Sequence, residues 1–412
     1  MFMTRPLEDV TILDLTWVLA GPYASMVLCD LGADVIKVER PPWGDIARTT
    51  GPYQNDWSAY FFSVNRGKRA IAIDLGTEEG RELFLRLVEN ADVVMENFTP
   101  GTMERLGIGY DTLAARNPRI IFASTSGFGQ TGPYRERPAL DIVVQAMGGV
   151  MSITGEPGGR PVRPGVSYGD ITAGLYTAIG ILTALHERER SGKGQAIDIS
   201  MLDCQVSVLE GAITRYMVTG KPPEPIGTRH PSATPFQAFG TADGYIVIAL
   251  GFGVVNQWAL LCGILGLPEL IDDERFLTSP KRTQRHAELE PLLEAALRTR
   301  TTKEWLDDLI AAGIPCGPLN TVPQMLEDEQ VKHRRIVKEV KHHIAGTLAI
   351  ADSPVRMSRS ETGIKGPPPD LGQDTADVLN ELLGMSVEEV GELVDLGVVA
   401  TSGGPDIGAI TR

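Results

Sequence analysis

The chain is poor in the residues that announce most catalytic chemistries. Of 412 residues only four are cysteine and six are histidine. Cys29, Cys204, Cys262 and Cys316 lie far apart with no C-x-x-C pair, so neither a disulfide framework nor a zinc site is signalled, and they read as buried thiols of a reducing cytoplasm. His186, His230, His286, His333, His342 and His343 form no H-E-x-x-H, and none stands in a G-x-S-x-G or Cys-His setting. No metal site is expected, and His342-His343 beside Lys341 read as a solvated turn. Basic charge is also scarce. Lys and Arg number 38 against 53 Asp and Glu, for a net charge of -15. That balance argues against nucleic acid or an anionic membrane as partner, since both need a basic face. No apolar run approaches the roughly 18–20 residues of a membrane span, and the first residues lack the pattern of a signal peptide.

Nucleotide motifs are missing or broken. Ser191-Gly192-Lys193-Gly194 has the wrong spacing for a Walker A loop and follows a helical pattern. Gly127-Phe128-Gly129-Gln130-Thr131-Gly132 spells G-x-G-x-x-G, but Pro133 and Arg135-Glu136-Arg137-Pro138 prevent a helix from opening behind it. The opening βαβ unit, where a nicotinamide fingerprint belongs, has none.

What the chain does have is an alternation of strands and helices. Strand patterns at 10–15, 33–39, 68–74, 91–98, 119–124 and 196–200 are separated by helical patterns, which predicts a mostly parallel, doubly wound Rossmann-like sheet with helices on both faces. Such sheets bind ligands at the carboxyl ends of their strands, here near 16–21 and 40–45. With 42% apolar residues the chain is long enough for two cores. The expected organisation is a large α/β domain over 1–200, a helix and linker over 201–224, a smaller α+β domain over 225–330, and a segment over 331–412 that returns to the large domain. Residues 402–412 are expected to fray. The loop at 40–58, with Trp43, Trp57 and nearby Tyr60, reads as a lid, an interface or simple packing.

Within this frame one carboxylate stands out. Gly165-Val166-Ser167-Tyr168-Gly169 delivers Asp170 to the start of a helical run in which Ile171, Leu175, Ile179, Leu182 and Leu185 recur at helical spacing. Asp170 is expected to be the N-cap, kept ionised by backbone N–H groups and the helix dipole. The plain reading is a helix cap; the chemical one is a carboxylate nucleophile, which needs an acyl group that arrives activated, as a thioester or phosphate. Gly169 would let a large ligand approach, and Gly174 another backbone.

In order along nearly the whole chain, several short motifs resemble those of the class III coenzyme A transferases. They are Ala20-Gly21-Pro22 with Leu31-Gly32-Ala33-Asp34-Val35-Ile36-Lys37-Val38-Glu39, Asn65-Arg66-Gly67-Lys68-Arg69, Glu96-Asn97-Phe98 with Pro100-Gly101, the 127–133 loop, Gly169-Asp170, Ser191-Gly192-Lys193-Gly194-Gln195 and Gly313-Ile314-Pro315-Cys316-Gly317-Pro318. Arg160-Pro161-Val162-Arg163-Pro164-Gly165-Val166 and Pro235-Phe236-Gln237-Ala238-Phe239 are most similar to the succinyl-CoA:glutarate type. The resemblance implies that Asp170 is the nucleophile, that Arg40 and Arg105 hold CoA phosphates, and that Asn97 and Phe98 line the CoA path. It also implies a homodimer of interlocked, ring-shaped chains. Lys37, Lys68 and Arg69 complete the cations expected near strand ends for a polyanionic carrier.

Trp17 and Leu19 stand where formyl-CoA transferase has histidine and glutamine, and Leu140 stands where related 2-methylacyl-CoA racemases have a histidine. The expected oxyanion and acyl pocket comprises Gly127, Gly129 or the helix start, with Trp17, Leu19, Tyr60, Leu140, Arg163, Arg229 and His230, the last three as anchors for a distal carboxylate. The expected activity is transfer of CoA from a donor such as succinyl-CoA to a small dicarboxylic acid. CoA thioesters would be substrates, with no permanently bound cofactor. The alternatives are a 2-methylacyl-CoA racemase and a non-catalytic CoA-binding subunit.

Overall fold

A computed structural model describes residues 4–251 and 257–402; the expected fraying at the C-terminus concerns residues that lie, but for Ser402, outside that range. The alternating pattern becomes, in chain order, β1 (Thr11–Asp14), α1 (Ala20–Asp30), β2 (Asp34–Glu39), the two-stranded ribbon β3 (Tyr53–Gln54) and β4 (Trp57–Ser58), α2 (Ala59–Asn65), β5 (Arg69–Ile73), α3 (Glu78–Val88), β6 (Val93–Glu96), α4 (Thr102–Arg105), α5 (Tyr110–Arg116), β7 (Ile121–Ser126), α6 (Asp141–Met147), α7 (Tyr168–Ser191) and β8 (Ala196–Ser200). Six of these strands pair in parallel in the order β5-β2-β1-β6-β7-β8. A seventh, β14 (Val399–Ala400), is added antiparallel to β5 from the far end of the sequence, so the sheet is not complete at β8 as the pattern to residue 200 suggests.

Successive strand residues face opposite ways. Ile12, Val35, Val93 and Ile121 pack with Ala24 and Leu28 of α1 and Ala178 and Ile181 of α7. Leu13, Ile36, Ile71 and Val94 pack with Phe84 and Leu87 of α3, Leu113 of α5 and the helices Thr375–Leu383 and Val387–Asp395. The sheet is therefore covered on both faces, as parallel sheets require.

α7 is longer than the apolar spacing indicates and turns a different face inward. Its buried residues include Ala173, Gly174, Thr177, Ala178, Ile181 and Ala184, whereas Leu175 and Ile179 are 42% and 55% exposed. The reason is α1. A Cβ on Gly174 would lie 2.7 Å from the Ala20 carbonyl oxygen and 3.1 Å from the Tyr23 ring, so the two helices approach through small residues and the larger apolar ones are left outside.

Two compact units divide the chain. One holds residues up to Val150, Arg163–Thr214 and Lys332 onward; the other holds Met151–Val162 and Arg215–Val331. The division falls inside the 201–224 segment and places 151–162 with the second unit. That unit has its own core, built from an antiparallel sheet with β9 (Phe236–Gly240), β10 (Tyr245–Ala249) and β11 (Cys316–Pro318), against which Trp258, Leu261, Leu289, Leu293, Trp305 and Leu309 pack. In the first unit, β12 (Val337–His342) and β13 (Gly346–Ala351) form a hairpin. His342 there is buried against the Trp57 ring, with centroids 4.1 Å apart, and does not lie in a solvated turn. No helix among the described residues is long and apolar enough to cross a membrane.

Candidate active site

Ser167, not Asp170, occupies the cap position of α7, and its side chain makes no capping bond. The cap comes from another helix. Asp141, the first residue of α6, accepts the Gly169 N–H at Oδ1 over 2.8 Å and the Asp170 N–H over 3.4 Å. Its Oδ2 accepts from Gln145 Nε2 at 2.7 Å and from Arg163 Nε at 3.0 Å, and Arg163 Nη2 stands 2.8 Å away. Gly169 is needed for this approach. A Cβ there would meet Val144 Cγ2 at 2.8 Å and Asp141 Oδ1 at 3.0 Å, so its small size serves the cap and not the entry of a ligand.

Relieved of capping, the Asp170 carboxylate accepts no hydrogen bond from any described residue. It is half-buried in the first turn of α7. Burial first, and then the negative charge of Asp141, push its pKa up to about 7, while Arg163 pulls it down. The expectation of a firmly ionised cap is thereby overturned: near neutral pH this carboxylate exchanges its proton readily. Tyr60 on α2 shares the same field. Burial and the charges of Asp170, Asp45 and Asp141 push its phenol up to about 12, so it carries its proton at any ordinary pH.

The loop after β1 is held from three sides. Asp14 Oδ1 accepts the Thr16 N–H at 2.9 Å. Asn97 locks Trp17 at two points, its Oδ1 accepting the Trp17 N–H and its Nδ2 donating to the Trp17 carbonyl, each at 2.9 Å. Asp45 accepts the N–H of Val18 at 3.1 Å and holds this β-branched residue at φ +66°, in the left-handed region. Phe98 meets the Trp17 ring edge-on at 6.1 Å. Behind them Glu96 accepts the Phe98 N–H at 2.7 Å, and burial raises its pKa to about 7. Leu19 then opens α1 as an uncapped cap residue, and Leu140 takes the same position before α6, mostly exposed.

The expected phosphate-binding cations separate into two groups. Lys37 is 0% exposed; its ammonium lies 3.0 Å from Asp45 and donates to the Thr16 carbonyl at 2.6 Å. Lys68 is equally buried against Asp14 and Asn65. Arg69 pairs with Asp34 and Glu381 at the amino end of its strand, opposite to the ligand-binding end. These three hold the fold together and present no face to a phosphate. Arg40 and Arg105 do. Arg40 directly follows β2, its side chain 73% exposed and 3.4 Å from Asp74. Arg105 is exposed, and among the described residues its guanidinium donates only to the Thr102 hydroxyl.

Other residues of the expected pocket are engaged within the fold. The Gly129 N–H donates to Ser126 Oγ at 3.1 Å, and the α7 N–H groups are taken by Asp141, so neither is available to an oxyanion. Gly127 lies so close to Ala139 that a Cβ would collide with it. Arg229, in the second unit, donates to the Ile226 carbonyl and contacts His286, while the His230 ring packs on Phe236. Residues 165–169 also spell G-x-S-x-G, but the Ser167 hydroxyl accepts from Arg163 Nη2 at 2.9 Å, and no described histidine bonds to it. Asp141 and Asp45 are the residues that the sequence pattern did not reveal; an aspartate opening a helix was the only signal for the first.

His342, His343 and Asp370 have potential ligand atoms within 4.8 Å of one another. The donor set does not suit a metal. His342 Nδ1 accepts the N–H groups of Ile344 and Ala345, which leaves its proton on Nε2, the atom that would have to coordinate.

The sequence matches the description of CoA-transferase family III over residues 7–375. The chain belongs to that family. Among similar family III proteins, the mouse succinyl-CoA:glutarate CoA-transferase is 42% identical over 96% of this chain and 90% of its own. The succinate–glutarate CoA-transferase of Agrobacterium fabrum is 40% identical over 92% of this chain and 96% of its own. A crystal structure of a CAIB/BAIF family protein from Brucella suis superposes with a TM-score of 0.82 at 41% identity, over 92% of this chain and all of the other. The parallel-dominated fold is thus that of a solved CAIB/BAIF family structure.

Proposed function

We propose that this family III CoA-transferase works through covalent acylation of Asp170. The protein moves CoA between an acyl-CoA and a carboxylate, and it is an enzyme whose substrates are CoA thioesters. One observation carries the covalent reading: a half-buried carboxylate with no hydrogen-bond donor among the described residues, poised near neutrality beside a second carboxylate that does its capping. A partly desolvated carboxylate free of donors is a stronger nucleophile than a capped one.

An Asp170 oxygen attacks the donor carbonyl, the C–S bond breaks, and CoA leaves as thiolate with a mixed anhydride on the enzyme. The thiolate attacks Cγ of Asp170, releasing the donor carboxylate and leaving an aspartyl-CoA thioester. The acceptor carboxylate attacks the same carbon, expels the thiolate and forms a new anhydride. Attack of the thiolate on the acceptor's acyl carbon then gives the product and restores Asp170. Tyr60, protonated throughout, is suited to donate a hydrogen bond to the developing oxyanion. Arg40 and Arg105 are the exposed cations suited to the CoA phosphates, with Asn97 and Phe98 at the strand end between. The glutarate and mesaconate transferases among the relatives support a small dicarboxylate as acceptor and succinyl-CoA as donor.

We also propose a homodimer. Leu140, Ile142 and Met147 at α6 and Leu175 and Ile179 on α7 are exposed apolar side chains, and this supports a partner surface there. The two compact units are read as two domains, and the four free thiols suit a cytoplasmic enzyme. The decisive experiment mixes the enzyme with succinyl-CoA and follows intact mass and hydroxylamine trapping at Asp170. Asp170→Ala should lose turnover by several orders of magnitude and carry no adduct. A variant that retains turnover, or consumption of substrate without an adduct, would end this reading.

A further inference from the structure

Arg163 is committed along one edge. Nε and Nη2 face Asp141, and Nη2 also donates to Ser167 Oγ. Of the five guanidinium N–H donors, the two on Nη1 have no acceptor among the described residues, and the side chain is 34% exposed. Asp141, whose Oδ2 holds the guanidinium, accepts the Gly169 N–H at 2.8 Å and the Asp170 N–H at 3.4 Å through Oδ1, so Arg163 is fixed one carboxylate away from the helical turn that carries the nucleophile. Among the described residues, Arg163 is the cation whose charge bears on Asp170.

The reaction makes this edge necessary. Asp141 remains a carboxylate while Asp170 is acylated, and the second half-reaction must bring another carboxylate against Asp170 Cγ beside it. Lys37 and Lys68 cannot attend it, being neutralised inside the sheet. A planar guanidinium with one edge fixed and one open suits a carboxylate better than a mobile ammonium would.

We propose that the open Nη1 edge of Arg163 receives the reacting carboxylate of the acceptor and holds it against acylated Asp170, while Asp141 fixes the opposite edge. Arg163 thereby attends the steps in which a free carboxylate joins or leaves Asp170 Cγ, and takes no part in the attack on the donor thioester. The proposal rests on the Asp170 reading above and goes beyond it by separating the two halves of the reaction.

The test uses full-length Arg163→Gln and Arg163→Lys at pH 8.5, where Asp170 is ionised. Formation of the succinyl-Asp170 anhydride in a single turnover is read by intact mass as the succinyl adduct, and KM and kcat are read for glutarate and succinate. Arg163→Gln is expected to acylate within about threefold of wild type yet raise the acceptor KM about 10- to 100-fold, as for loss of a charge-assisted hydrogen bond. Arg163→Lys and added guanidinium should each restore part of the loss. An unchanged acceptor KM in Arg163→Gln, with acylation intact, overturns the proposal alone. An equal fall of both steps that neither lysine nor guanidinium repairs also overturns it, since that marks a merely structural role. Wild-type enzyme that turns over without an adduct overturns the Asp170 reading and this proposal together.

Discussion

Asp141 caps the helix on which Asp170 rides. A single oxygen of the first carboxylate takes the Gly169 N–H at 2.8 Å and faces that of Asp170 itself, so one acid organises the backbone while the other keeps its oxygens open. The arrangement has a second effect. The negative charge that satisfies the helix end also opposes ionisation of its neighbour.

Asp141→Asn should therefore separate capping from charge. The amide oxygen can still accept the Gly169 N–H, but the repulsion is gone, so the Asp170 pKa falls from about 7 towards its ordinary value while burial still holds it above. In a kcat profile between pH 5 and 9, the acidic limb is expected to move to lower pH. A limb that stays in place or moves upward would show that Asp141 does not set this ionisation.

Asp170→Asn should gain stability in a pH-dependent way. Because the folded-state pKa is raised, the native protein binds the proton more tightly than the unfolded chain, and the stability this gives is lost as pH rises from about 4 through about 7. The neutral amide avoids that loss. Its melting temperature should exceed that of wild type at pH 8, and the difference should shrink at pH 5.

Asp45→Ala should be strongly destabilising, since Asp45 is both the partner of the fully buried Lys37 ammonium and the acceptor for Val18. Leaving that ammonium without its partner costs about 3–5 kcal/mol, measurable by urea unfolding. A loss below about 1 kcal/mol would mean that Asp14 and the Thr16 carbonyl alone suffice for Lys37.

Gly174→Val tests the helix pair. The new Cβ meets backbone at 2.7 Å, which cannot yield as a flexible side chain does, so α1 and α7 must part at about 1–3 kcal/mol or more. Gly180→Ala, whose nearest neighbour is the Ile197 methyl at 3.1 Å, is the control and should melt close to wild type.

Arg105→Ala and Lys68→Met should fail differently. Removing the exposed Arg105 is expected to raise the KM for acyl-CoA about tenfold or more, with a weaker salt dependence and little change in melting temperature. Lys68→Met strips a buried Asp14 of its ion pair and should lower stability before it alters affinity for CoA.

Much of this molecule is written locally. The parallel sheet follows from runs of β-branched residues between helical segments, and Asp170 at a helix mouth follows from glycine, serine and aspartate ahead of an apolar run. The broken loop at 127–132 follows from Pro133 and Pro138 behind it. Other features require knowing which distant segment arrives. Lys37 and Lys68 sit in strand-end motifs that look like surface charge, because a lysine's spelling does not report whether Asp45 or Asp14 will meet it. The inward face of α7 was equally hidden, since spacing marks the apolar positions and close packing chooses the small ones.

The order of elements and the place of one acid at a helix mouth were thus determined by the sequence itself, because backbone propensity and hydrophobic period act over a few residues. Tertiary structure alone decided what that acid is. It brought Asp141 across 28 positions to take the helix cap, set Arg163 beside it, and lifted the Asp170 pKa. Desolvation and Coulomb interactions depend on distance in space, and chain spacing does not encode that distance.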